Sequence, residues 1–149
     1  RRRHTRFRNV TGVQTCALPI FTWASDIGAY YAGTLWGRHP LAPSISPKKS
    51  IEGLAGGLAL ALVVALLTQI WLVPQLPALH ALVLGILMTG TGLIGDLCES
   101  AMKRAVGVKD SGGILPGHGG MLDRLDSLLF TAPTFYYYVT LVCGFSPLP

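Results

Sequence analysis

Residues 54–73 read LAGGLALALVVALLTQIWLV, twenty positions without one charged side chain. Wound as a helix at about 1.5 Å per residue, they cover roughly 30 Å, the thickness of a bilayer's hydrocarbon core. Gly53, Gly57, Ala61 and Ala65 recur at every fourth position. Such spacing puts them on one helix face, where small residues let a second helix approach closely. Trp71, near the end of the stretch, suits the membrane–water interface.

The flanks repeat the theme. Residues 21–36 (FTWASDIGAYYAGTLW) are apolar, with Asp26 inside and Ala29, Gly33 and Gly37 forming another small-residue strip. The stretch is short for a full span. Residues 37–52 (GRHPLAPSISPKKSIE) form a polar connection whose prolines break any helix. Ser46 as N-cap and Pro47 at the first helical position are placed to start the next helix. Pro74 to Pro77 reads as a tight uncharged turn. Residues 78–95 give a third span with His80 near its start, and residues 127–143 a fourth that Pro133 should kink. Arg38, Lys48, Lys49, Lys103, Arg104, Lys109 and Arg124 then all fall in the first and third loops. By the positive-inside rule that side is cytoplasmic. The expected fold is all-α: a polytopic membrane helical bundle of about four transmembrane helices with a cytoplasmic, glycine-rich charged loop.

Composition agrees. Half of the 149 residues are hydrophobic, 13% are charged and the mean hydropathy is +0.48, values that suit a membrane protein rather than a soluble domain. The net charge of +5 arises in the first eight residues, where Arg1, Arg2, Arg3, Arg6 and Arg8 lie. Without them the basic and acidic residues balance, so nothing points to nucleic acid. Residues 10–20 (VTGVQTCALPI) look like a translated sequencing adapter, so residues 1–20 are read as an artefactual leader, disordered or non-native. On that reading the native chain begins upstream of Phe21, and residues 21–149 are expected to lack their native N-terminal part. Cys16, Cys98 and Cys143 make no disulfide framework or zinc motif.

Charge outside the leader concentrates in one place. Asp96, Glu99, Ser100 and Lys103 have spacings that share one helix face, with Glu99–Lys103 readable as an ordinary solvated i,i+4 pair. Asp96 ends an apolar helix, where an acid is costly. Lys103, Arg104 and Lys109 could clamp a phosphate chain or contact lipid headgroups. Gly112, Gly113, Gly117, Gly119 and Gly120 would let a backbone approach phosphate, although the loop lacks the P-loop ending. Asp123 and Asp126, one turn apart, suit a helix N-terminus or, with Asp96, a hard cation such as Mg2+. His118 could donate to phosphate, act as an acid, or merely pack in the loop. Asp26 is an intramembrane acid and functional by default, whereas His80 reads as inert.

The pattern Ser100-x-x-Lys103-Arg104-x4-Lys109-Asp110-x-Gly112-x3-Pro116-x-His118-Gly119-Gly120-x-x-Asp123-Arg124-x-x-Asp126 resembles the signature of the phosphatidate cytidylyltransferases, also called CDP-diglyceride synthases. Ser25-Asp26-x-Gly28-Ala29-Tyr30 and Ser46-Pro47-Lys48-Lys49-Ser50-x-Glu52-Gly53 also look like family motifs, with Ser50 where Thr is common. The resemblance covers residues 21 to about 147. It implies a polytopic enzyme of a bacterial-type inner membrane, its active site facing the cytoplasm, that condenses CTP with phosphatidate to CDP-diacylglycerol and pyrophosphate. It implies Mg2+, with K+ as a second cation in some members, and a homodimer as a candidate assembly. Carried over, Asp96, Asp123 and Asp126 would hold the metal. Lys103, Arg104, Lys109 and His118 would contact phosphate, and Asp110 would join this catalytic set. Asp26, Lys48, Lys49, Glu52, Ser100, Gly119, Gly120 and Arg124 would bind substrate. A CDP-alcohol phosphotransferase lacks its DG…AR pattern here. A transporter or ion-binding bundle is the alternative from another class, with Asp26 and Asp96 lining a path.

Overall fold

The computed structural model describes residues 2–72, 74, 76–107 and 122–144, with side chains from Leu18 onward except those of residues 122–124. Along the chain lie α1 (Arg2–Trp36), β1 (Pro40–Ala42), β2 (Ser46–Ser50), α2 (Ile51–Leu72), α3 (Ala78–Ala105), α4 (Leu122–Tyr137) and a π-helical turn, Tyr138–Val142. Helix α1 packs most extensively on α2, α2 on α3 and α3 on α4, and smaller contacts of α1 with α3 and α4 close the bundle. Helices α2 and α3 are long and apolar enough to cross a membrane.

Side-chain size is distributed inside out relative to a soluble protein. The buried positions of α2 are Gly53, Gly57, Ala61, Ala65 and Thr68, the predicted small-residue strip extended by one turn. Large apolar side chains point outward: Trp23, Tyr31 and Trp36 on α1, Ile70 and Trp71 on α2, Leu129 and Leu141 near the C-terminus. In water such a surface would aggregate, whereas in lipid tight helix packing through small residues is the stabilising contact. At the α1–α2 crossing a Cβ on Gly56 would stand 2.2 Å from the Ala32 Cβ, and one on Gly28 would stand 2.6 Å from the Gly56 carbonyl oxygen. Only the missing side chains allow this approach. A second cluster, Phe21, Leu84, Met88, Phe135 and Val139, fills the space between α1, α3 and α4.

Some expectations change. Helix α1 begins at Arg2 and so includes most of the segment read as a leader, where Gly12 and Pro19 are the strong helix breakers. The 37–52 connection contains an antiparallel hairpin, with Pro40 opposite Ser50 and Ala42 opposite Ser46. Both strands of a two-stranded sheet are edges, so prolines at 40 and 47 cost no ladder bond that the sheet needs. Ser46 consequently lies in β2, and the cap of α2 is Ser50, whose Oγ accepts the Gly53 N–H at 3.1 Å. As the shared face of Asp96, Glu99, Ser100 and Lys103 requires, α3 runs on past residue 95 by about three turns, ending where Gly107 adopts φ 70° and donates its N–H to the Arg104 carbonyl. His80, read as inert, is partnered: its Nδ1 lies 2.9 Å from the Tyr138 hydroxyl, joining the start of α3 to the π-helical turn.

Candidate active site

The extension of α3 creates the site. It carries Asp96, Glu99, Ser100 and Lys103 on the predicted common face, past the end of the apolar span. Gly95 decides what they meet. A Cβ there would stand 2.7 Å from the Asp126 carbonyl oxygen, so its absence lets the first turn of α4 press against α3. The next residue, Asp96, then comes within hydrogen-bonding reach of the Asp126 carboxyl, and Asp126 also reaches Glu99. Asp126 Oδ1 accepts the Ser127 N–H at 2.6 Å.

A cavity of about 500 Å³ opens beside this cluster, between α1, the hairpin, α2 and α3. Asp26, Lys48, Lys49 and Asp96 supply its charge, Ser25, Thr89 and Ser127 its hydroxyls, and Leu54, Met88 and Leu93 part of its apolar wall. Lys49 Nζ donates to Asp96 Oδ2 at 2.5 Å, tying the hairpin to α3, with both side chains about one quarter exposed. Asp26 lies within electrostatic range of Asp96, Asp126 and Lys49. Two cations, two carboxylates and an apolar wall therefore share one opening, with Asp126 beside Asp96 just outside it. That combination can hold a phosphate-bearing headgroup while an attached chain lies against carbon.

The structure thus brings together Asp26, Lys48, Lys49, Asp96 and Asp126. Ser100, Lys103 and Arg104 continue along α3 but do not line the cavity. Glu52 does not line it either, and its carboxylate is engaged by the backbone of Arg38 and His39. Lys109, Asp110, His118, Gly119 and Gly120 lie outside the described residues, as do the side chains of Asp123 and Arg124. Cys98 and Cys143 are free thiols.

Glu99 is the residue the sequence reading undervalued. Read as half of a solvated pair, it is only 4% exposed. Lys103 Nζ stands 3.1 Å from its Oε1, yet that oxygen receives no well-directed hydrogen bond. Its burial was legible in principle, because the buried stripe Met88, Gly92, Gly95 continues with helical spacing to Glu99. Among the described residues no three His, Cys, Asp or Glu side chains form a complete cation cage. Asp96 and Asp126 nevertheless bring hard oxygens within reach of one another, and the Glu99 carboxylate lies beside Asp126. This donor set fits Mg2+, which takes one or two carboxylates and completes its shell with water and substrate phosphates.

The family model described as the cytidylyltransferase family matches residues 4–142. The chain belongs to the cytidylyltransferase family. Among curated members, a phosphatidate cytidylyltransferase of Bacillus subtilis (strain 168) is 46% identical over 122 residues, covering 82% of this chain and 45% of its own length. One from Mycobacterium bovis is 48% identical over 134 residues, covering 90% of this chain and 43% of its own. The chain thus spans about half the length of the cytidylyltransferases it matches. A solved structure, described as an intramembrane enzyme for archaeal membrane lipids biosynthesis, superposes with a TM-score of 0.61 over 94% of this chain and 82% of that one. At 21% identity that likeness speaks for the fold of this cytidylyltransferase family member as a membrane helical bundle.

Proposed function

We propose that this chain is the catalytic part of a phosphatidate cytidylyltransferase, making CDP-diacylglycerol and pyrophosphate from CTP and phosphatidate. One observation carries the reading: within a family-matched chain, Lys49, Asp96 and Asp126 converge beside a cavity that is charged at one part and apolar at another. Helices α1 and α4 cross the membrane with α2 and α3, giving four spans in a bacterial-type inner membrane. The hairpin and the C-terminal end of α3 face the cytoplasm, where CTP is found.

An anionic phosphate oxygen of phosphatidate attacks the α-phosphorus of CTP. The new O–P bond forms as the bond from that phosphorus to the bridging oxygen of the β-phosphate breaks, and the leaving electron pair goes to pyrophosphate. The nucleophile is already ionised, so alignment and charge neutralisation dominate over proton abstraction. Lys48 and Lys49 hold phosphate oxygens at the cavity, and Lys103, Arg104, Lys109 and His118 contact the triphosphate. Asp26, Ser100, Gly119, Gly120 and Arg124 complete the substrate contacts beside Asp110. Asp96, Asp123 and Asp126 hold Mg2+, which when bound supplies countercharge for the leaving pyrophosphate. K+ is proposed as a second cation and a homodimer as the assembly. Family membership leaves the transporter reading without support.

The test is CDP-diacylglycerol formation from CTP and phosphatidate in detergent micelles, with Mg2+ and with chelator. It is run on this chain and on a chain carrying the upstream half found in its relatives. Chelator-sensitive product from either is expected, and absence of product from both overturns the proposal.

A further inference from the structure

The Glu52 carboxylate has its oxygens occupied. Oε2 accepts the backbone N–H groups of Arg38 at 3.1 Å and His39 at 3.2 Å, while Oε1 lies 2.6 Å from His39 Nδ1. In the reverse direction the His39 carbonyl accepts the Ile51 N–H at 2.9 Å. Residues 38–39 and 51–52 immediately flank the hairpin, and the pair Pro40–Ser50 is its first rung. These bonds therefore close a ring around the hairpin's base. At its other attachment, Lys49 reaches across to Asp96.

We infer that Glu52 and His39 are positioning residues: a latch at the hairpin's base that sets where Lys48 and Lys49 stand over the cavity, without touching substrate. The inference rests on the functional reading above. Two strands this short are marginally stable alone. A lysine ammonium on a four-carbon stem has many places to go unless its backbone is held. An acid in a helix's first turn ordinarily serves that helix's own N–H groups. Here the carboxylate also reaches back to the strand-side backbone, which caps the hairpin as well as the helix.

A double-mutant cycle tests it in lipid nanodiscs. Glu52→Ala should lower kcat/KM about tenfold, and His39→Ala, which removes one bond of three, by about threefold. In a background carrying both Lys48→Ala and Lys49→Ala, Glu52→Ala should change kcat/KM by no more than about twofold, because the latch acts through those two lysines. Independently of turnover, Glu52→Ala should speed hydrogen exchange at the Arg38 and His39 amides about tenfold, leaving α3 amides unchanged. It should also raise acylation of Lys49 by a water-soluble amine reagent. Additive losses in the cycle, unchanged exchange or unchanged labelling would each overturn the latch. If wild-type protein makes no product, the functional reading fails by itself, and exchange and labelling alone decide the latch.

Discussion

At the residue scale, the Lys49–Asp96–Asp126–Glu99 chain of contacts is where charge meets the apolar bundle. Asp96→Asn keeps the shape but removes the charge that Lys49 and a bound cation share. Initial-rate kinetics should show about a 100-fold or greater loss in kcat, with the Mg2+ concentration needed for half-maximal rate shifted upward. Glu99 should behave differently. A buried carboxylate paired with Lys103 but lacking a well-directed hydrogen bond at Oε1 costs stability, because burying charge is unfavourable unless every lone pair is met. Glu99→Leu should therefore hold or raise the unfolding temperature in detergent while lowering turnover about tenfold. A fall in unfolding temperature with turnover intact would make Glu99 an ordinary structural partner of Lys103.

At the element scale, glycines set the distances. Gly56 permits the α1–α2 crossing and Gly95 the α3–α4 contact, whereas a Cβ on Gly90 would meet nothing within 4 Å. Gly56→Leu should destabilise the bundle by about 3 kcal/mol, the upper range for overpacking. Gly90→Ala should stabilise it by roughly 0.5–1 kcal/mol through helix propensity alone. Denaturant unfolding of the two variants in one detergent would read the contrast, and equal effects would show that the crossing does not hold α1 against α2. The small-residue strip on α2 was legible because every-fourth-residue spacing is a property of one helix. The hairpin was not. Its prolines exclude helix, but nothing local says that residues 40–42 pair with 46–50, since that depends on Glu52 closing the ring behind them.

At the scale of the molecule, the hairpin and the C-terminal end of α3 lie together, as the Lys49–Asp96 bond requires, and Trp71 stands at the far end of α2. With the basic end in the cytoplasm, an impermeant thiol reagent added outside spheroplasts should label Trp71→Cys and spare Ser44→Cys, each in a background with the native cysteines replaced by serine. The reverse pattern would invert the proposed orientation.

Sequence alone determined the membrane character and the small-residue faces. Each is carried by composition or by the helix period, which need no partner. It also carried the family resemblance, because motif residues keep their spacing whatever they touch. The tertiary structure decided which charged residues share a cavity. Asp96 meets Lys49 and Asp126 because Gly95 lets α4 close on α3 and because the hairpin folds back over α3. It also showed the Glu52 carboxylate bonded to the backbone of Arg38 and His39, and took Glu99 out of solvent. Those assignments depend on distances between residues remote in sequence, and such distances are fixed only when the helices pack.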